Sequence, residues 1–216
     1  MSSSDHVNRL RFFGQWLANP RQTAAITPSS PDLVAAVMAE LPDGAQRIIE
    51  LGAGTGVFTR ALLERGIRAA DLLVVELNPV MHANLAQQFP DAHVVQGNAI
   101  HLVELAHGAG FLQADLADAV VSGLGLLAMD RATQSVILQA AFECLRPGGV
   151  FVQFTYGPLS PVPEQILSGL GISARRGTFV LRNVPPATVW VFTRSRAKGI
   201  TPRTVRRDGS TKPDSD

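Results

Sequence analysis

The stretch Glu50-Leu51-Gly52-Ala53-Gly54-Thr55-Gly56 lies between an apolar run, Ala45-Gln-Arg-Ile-Ile-Glu-Leu51, and a segment of helical periodicity, Val57 to Arg65. A short buried strand, a glycine turn and a helix follow from that order. Glycine permits the backbone angles of a sharp turn and lets the main chain approach a ligand with no Cβ in the way. A dinucleotide turn reads GxGxxG, with its last small residue at the place of Val57. Here the third glycine comes one residue early, so the spacing counts against a nicotinamide cofactor.

Outward from this unit the alternation repeats: strand Asp71 to Glu76, helix Pro79 to Gln88, strand Ala92 to Gln96, helix His101 to Ala106 and strand Ala117 to Ser122. A helix over Arg131 to Leu145 meets a stop at Pro147-Gly148-Gly149 and leads into the β-branched and aromatic run Val150 to Tyr156. Strands alternating with helices predict a parallel sheet covered on both faces. Beyond it, Thr178-Phe-Val-Leu-Arg182 and Thr188-Val-Trp-Val-Phe192 flank Asn183-Val-Pro-Pro-Ala187, two strands around a tight loop. The expected fold is α/β, a seven-stranded, mostly parallel sheet ending in an antiparallel hairpin.

With 216 residues, 46% of them hydrophobic, the chain has enough apolar surface for one core and is not a mostly disordered sequence. Its longest uncharged run, Pro147 to Pro163, has 17 residues and four prolines, against roughly 20 apolar residues for a membrane span. The beginning, Met1-Ser-Ser-Ser-Asp5, carries no secretion pattern, so a cytoplasmic location is expected. The single cysteine, Cys144, excludes an internal disulfide and reads as a buried thiol on a helix. Net charge is +1, yet Gln165 to Arg207 holds nine basic residues and no acidic one, whereas residues 1–164 hold nine basic against 15 acidic. Such asymmetry suits an anionic partner, nucleic acid or an acidic lipid surface, and equally a solvated charged tail.

The pattern ExGxGxG, with a carboxylate near the end of the first strand, resembles the first motif of class I S-adenosylmethionine (SAM)-dependent methyltransferases, as do Leu145-Arg-Pro-Gly-Gly149 and the terminal hairpin. The resemblance implies SAM as cofactor, held by Glu50, Gly52, Ala53, Gly54, Thr55 and Gly56, with Glu50 near the cofactor's amino group, commonly through water. Glu76, with Leu77 beside it, ends the second strand 20 residues after Gly56, where a carboxylate can accept both ribose hydroxyls; dinucleotide folds place a ribose contact there too. Asn98 and Ala99 stand at the family's adenine contact, where Asn98 replaces the usual acidic residue and can face the adenine amino group through its carbonyl oxygen. Ser122 completes the expected cofactor contacts. The fourth-strand loop, Ser122-Gly-Leu-Gly125, has no aromatic residue to stack a base, which disfavours methylation of RNA or DNA bases despite the basic C-terminal block. No nucleic-acid partner is expected.

Near the N-terminus Val7, Leu10, Phe13 and Leu17 share one helical face, extended by Phe12 and Trp16 and flanked by Arg9 and Arg11. Such a helix can lie in an anionic membrane interface, pack on the sheet or cap the cofactor pocket. Phe12-Phe-Gly-Gln-Trp16-Leu-Ala-Asn19-Pro-Arg-Gln22, Ala25-Ile-Thr-Pro28-Ser-Ser30, Val121-Ser-Gly-Leu124, Phe151-Val-Gln-Phe-Thr-Tyr156-Gly-Pro158 and Asn183-Val-Pro-Pro-Ala-Thr-Val-Trp190 together resemble bacterial phospholipid N-methyltransferases. That resemblance implies transfer of up to three methyl groups to phosphatidylethanolamine, yielding phosphatidylcholine. It also implies peripheral attachment to the inner face of the cytoplasmic membrane through the N-terminal helix. The expected organisation is a helix and pocket lid over 1–30, a methyltransferase domain over 31–196 and a basic, disordered tail over 197–216.

Tyr156, the only tyrosine, ends the fifth strand at the edge where open parallel sheets bind ligands. It is the catalytic candidate: its ring suits a methylated ammonium and its hydroxyl can accept from an amine, although a packing role fits equally. Ser29 and Ser30 precede a helix expected over Pro31 to Leu41; they can cap it or close over the SAM carboxylate. His101, Glu104 and His107 spread around their helix, so no metal site is expected. An RNA or soluble-amine methyltransferase remains the alternative, and a nonenzymatic module binding nucleic acid through its basic tail the third reading.

Overall fold

The computed structural model describes residues 29–195. At its centre are strands with no polar face: β1 (Ile48–Leu51), β2 (Leu72–Glu76) and β4 (Ala117–Ser122) are buried at every position. Strands buried on both faces need a helix layer on each side. Those layers come from α1 (Pro31–Met38), α2 (Val57–Glu64), α3 (Pro79–Gln88), α4 (Leu102–Gly108), α5 (Arg131–Cys144) and the short α6 (Glu164–Gly169). Strands β3 (His93–Gln96), β5 (Leu145–Tyr156), β6 (Ile172–Val180) and β7 (Ala187–Arg194) complete a seven-stranded sheet in the order β3-β2-β1-β4-β5-β7-β6. The first five are parallel, and β7 runs antiparallel to both β5 and β6.

Because side chains alternate along a strand, consecutive residues of β1 serve different layers. Ile49 and Leu51 pack with Leu102, Phe111, Ile137, Leu138 and Phe142. Ile48 packs on the other side with Leu33, Val37, Phe58, Leu62 and Leu85. Glu50 shares the side of Ile48, facing α2, and this alternation sets a carboxylate inside the second layer. Cys144 is buried, as expected, with its thiol pushed up to about 12 by desolvation.

Strand β1 starts at Ile48 and helix α1 ends at Met38, each three residues short of the sequence reading, and three elements differ from it more. Helix α5 stops at Cys144, and β5 starts at once: Leu145 pairs with Ala117, the ladder breaks, and pairing resumes at Val150 opposite Ala119. Pro147-Gly148-Gly149 therefore occupies the irregular start of the strand, where Gly148 has φ +83°. Strand β6 starts at Ile172 because a register shift between Arg176 and Phe179 joins two paired segments into one strand. Helix α6 has no counterpart in the expectation; it has six residues and follows Pro161 and Pro163. The N-terminal helix and the basic tail fall outside the described residues.

The amino edge of the sheet is closed by polar ties. Asp118 accepts from the backbone N–H groups of Gln46 (2.6 Å) and Arg47 (2.8 Å) and from Arg146 Nε (2.8 Å), while Asp71 holds Arg47 and Arg68. The carboxyl edge is left for a ligand.

Candidate active site

Strands β1 to β5 all end on one edge, and β1 lies between β2 and β4, so the connections after β1 and β4 leave in opposite directions and part the loops into a crevice. The glycine loop after β1 lines it, with positive φ at Gly52 (+69°), Gly54 (+57°) and Gly56 (+77°). A Cβ on Gly52 would lie 2.9 Å from Leu124, and one on Gly56 would lie 2.7 Å from Phe89, so both are packed from above. Gly54 differs, since a Cβ there would meet nothing within 4 Å. On the far wall Gly123 N–H donates to the Leu51 carbonyl (2.8 Å), and a Cβ on Gly123 would lie 2.7 Å from the Gly52 carbonyl oxygen. The β1 and β4 loops therefore meet backbone to backbone, and Gly54 faces free space.

Two carboxylates border this space. Glu76, at the end of β2, accepts from Gly54 N–H through Oε2 (2.9 Å) and from Asn78 N–H through Oε1 (2.8 Å). Each carboxylate oxygen retains acceptor capacity, so Glu76 can take two ribose hydroxyls while holding the loop. Glu50 is buried; its Oε2 accepts from Thr59 Oγ1 at 2.6 Å, and its Oε1 has no hydrogen-bond partner among the described residues. Burial pushes the Glu50 carboxyl up to about 7, opposed by the hydrogen bonds from Thr59 and reinforced by the charge of Glu76. A buried carboxylate with an orphaned oxygen is costly unless a donor or cation meets it. The ammonium group of SAM is such a donor, and the open space at Gly54 suits its backbone approach. The residues present fit the cofactor.

The other expected contacts distribute as follows. Ala53 is buried and Thr55 exposed within the glycine loop. Leu77, after Glu76, is 61% exposed, an apolar side chain left for a flat ligand to cover. Asn98 is exposed and its Oδ1 accepts from Ile100 N–H (3.2 Å), capping the turn Ala99–His101. Ala99 is buried in that turn. Ser122 is buried at the end of β4, and its Oγ accepts from Leu124 N–H (3.3 Å), shaping the wall. Ser30 caps α1, accepting from Leu33 N–H (3.2 Å). Tyr156 is half-buried on the same side of the sheet as Glu50, its ring edge-on to Phe154 at 6.0 Å, and desolvation raises its phenol above the ordinary value.

Three residues to which the sequence reading gave no role support the site. Thr59 is a polar residue on the buried face of α2, and it holds Glu50. Gln153, the polar break in the apolar run of β5, donates through Nε2 to the Leu124 carbonyl (2.9 Å) and so fixes the loop that rests on Gly52. Asn183 accepts Ser30 N–H (3.0 Å) and donates to the Pro185 carbonyl (2.7 Å), which joins two of the recognised segments. Only the polarity of Thr59 and Gln153 at core positions marked them. Thr59→Val removes one charge-assisted hydrogen bond at little change in shape, and is expected to cost about 2 kcal/mol at pH 8. At pH 5, where Glu50 is protonated, urea denaturation should find a smaller loss.

Residues 48–149 match a family model described as a methyltransferase domain. An ornithine lipid N-methyltransferase from Singulisphaera acidiphila is 30% identical over 151 residues, covering 68% of this chain and 77% of that protein. A TehB-like SAM-dependent methyltransferase from Corynebacterium glutamicum shares the fold with a TM-score of 0.54 at 18% identity, over 88% of this chain and 99% of its own. The glycopeptide N-methyltransferase MtfA, solved with SAM, gives 0.57 at 14% identity over 74% of this chain and 92% of its own. Fold and site together define a SAM-dependent methyltransferase of class I, with SAM as its cofactor. Within that class the chain belongs to the bacterial lipid N-methyltransferase family.

Proposed function

We propose that this enzyme methylates the amine of a membrane lipid headgroup, with phosphatidylethanolamine and its mono- and dimethyl forms as acceptors, on the way to phosphatidylcholine. The observation that carries the lipid-amine reading is the relationship to an ornithine lipid N-methyltransferase. Phosphatidylethanolamine is supported by the five resembling segments, three of which lie wholly within the described residues: Val121–Leu124, Phe151–Pro158 and Asn183–Trp190. Ornithine lipid itself, favoured by that relative, is the second candidate. Attachment to the membrane through residues 1–30 is part of this proposal. Among the described residues no helix is long and apolar enough to cross a bilayer.

When bound, SAM would supply an electrophilic methyl carbon on a sulfonium, with the neutral thioether as leaving group, for in-line attack by a neutral amine nitrogen. The protein's part is alignment and a dry, shaped crevice. Gln153 and Ser122 hold the Leu124 wall, and Phe154, tilted against Phe58 (5.5 Å) and edge-on to Tyr156 (6.0 Å), steadies the phenol at the end of β5. An alkylammonium resembles lysine, with a pKa of about 10.4, so desolvation or an acceptor has to help it lose its proton before each of the three transfers. In this reading the Tyr156 hydroxyl accepts from the amine, and its ring holds the charged methylated product.

Tyr156→Phe is expected to lower kcat about tenfold, the worth of one hydrogen bond, with SAM affinity unchanged. Equal turnover would leave the ring alone in the role. Labelled SAM incubated with vesicles of phosphatidylethanolamine, its monomethyl and dimethyl forms, and ornithine lipid tests the acceptor directly. Label in the first three supports the proposal; label in ornithine lipid alone moves the enzyme to the second candidate.

A further inference from the structure

We propose that the turn between β6 and β7, together with Leu159 beside it, is a docking surface that seats the mouth of the site on an anionic lipid bilayer. The lipid-substrate reading above gives this contact its purpose.

The first observation is exposed apolar surface in one place. Leu181 and Val184 are 72% and 77% exposed, and Phe179 and Leu159 add 38% and 65%. The Leu159 loop is tied to the turn by Gly157 N–H donating to the Pro186 carbonyl (2.9 Å) and Thr188 Oγ1 donating to the Gly157 carbonyl (2.6 Å). Clustered apolar surface of this kind marks an interaction site, whereas single exposed leucines do not.

The second observation is how the exposure is maintained. Asn183 is buried between the two exposed residues, anchored to Ser30 N–H on one side and the Pro185 carbonyl on the other. An inward polar anchor prevents the turn from folding Leu181 and Val184 onto the core. Pro185 and Pro186 carry no backbone N–H, so part of the main chain reaches an apolar medium without unmet donors.

Charge selects the kind of surface. Residues 172–194 contain Arg175, Arg176, Arg182 and Arg194 and no acidic residue. Arg175 is engaged by Glu40 (2.5 Å), but Arg176 and Arg182 form no ion pair among the described residues, and Arg176 lies over the Phe179 ring at 5.6 Å. Aliphatic tips bordered by arginine match the boundary between acyl chains and anionic headgroups. A single-stranded nucleic acid would call for exposed aromatic platforms in place of leucine and valine. Position completes the argument: Tyr156 pairs with Ala187, three residues from Val184, so insertion of the turn brings the end of β5 to headgroup depth.

The test uses the full chain and vesicles of phosphatidylglycerol and phosphatidylethanolamine in equal amounts. The double variant Leu181→Asp/Val184→Asp is expected to lose about tenfold or more in co-sedimentation, with melting temperature and SAM affinity unchanged. Separately, Leu181→Cys carries an environment-sensitive fluorophore, since the native Cys144 is buried, and its emission should shift to the blue on adding these vesicles. Unchanged co-sedimentation, or no emission shift, overturns the proposal. A wild-type dimer that the double variant dissociates, with vesicle binding intact, would make the turn an interface between copies and overturn it equally. Neither readout needs methyl transfer, so a protein that docks yet leaves phosphatidylethanolamine unmethylated refutes the acceptor and not the surface. Methylation of detergent-dispersed lipid by a protein that ignores vesicles refutes the surface, and with it attachment through residues 1–30, while the acceptor stands.

Discussion

Glu76→Ala is expected to lower SAM affinity by about 100-fold or more while the chain stays folded. Glu76 is the acceptor placed for two ribose hydroxyls, and hydrogen bonds to a charged group contribute about 1.5 to 3 kcal/mol each. The alanine also releases Gly54 N–H and Asn78 N–H, so the glycine loop loses its tie to β2 as the ligand loses its partner. Glu76→Gln separates the two effects: its carbonyl oxygen keeps one acceptor, and an intermediate loss of about tenfold is expected. Calorimetric titration with SAM, beside a thermal unfolding curve, reads both. Alanine-variant affinity within about threefold of wild type would place the ribose elsewhere.

Glu50→Gln should act through charge. The Glu50 carboxyl rises in the folded protein from 4.5 to about 7. Between those values the folded state holds a proton that the unfolded chain has released, so stability is greatest below the unfolded value, falls as pH rises toward 7 and is level above it. The integrated loss is about 3 kcal/mol. Glutamine carries no charge to desolvate, and its variant should be more stable than wild type at pH 8, with no slope between pH 4.5 and 7. Cofactor binding should show the opposite trend. An ammonium favours the ionised carboxylate, so wild-type affinity for SAM should rise with pH through about 7 with release of a proton. The variant should bind about tenfold more weakly, without that proton, as titration in two buffers of different ionisation enthalpy would reveal. A wild-type unfolding free energy that stays level from pH 4.5 to 7 would mean Glu50 is charged throughout.

Much of this architecture was legible because it depends on local pattern. Ile48, Ile49 and Leu51 had to be buried on both faces, and three glycines within five residues had to turn. Helix α3 and strand β4 match their expected limits, bounded as they are by Pro79 and by the turn at Gly123. The start of β5 was hidden because a proline and two glycines end a helix and also tolerate a broken ladder. In the site, the residues that touch the crevice were readable from glycine and acid placement after strands. Those that hold them were not. Thr59 reaches Glu50 across nine positions, Gln153 reaches Leu124 across 29, and Asn183 reaches Ser30 across 153. Such links come from tertiary folding, and no periodicity announces them.

The bond from Ser30 to Asn183 also has a practical bearing on how the protein is handled. It fixes the point where residues preceding 29 join the body, next to the β6–β7 turn, whereas Ser195 is tied to Gly171 at the far end of the same hairpin. A purification handle placed directly before Ser29 would start beside the β6–β7 turn and compete with whatever settles there. One placed directly after Ser195 would start from the opposite end of the hairpin, away from that turn.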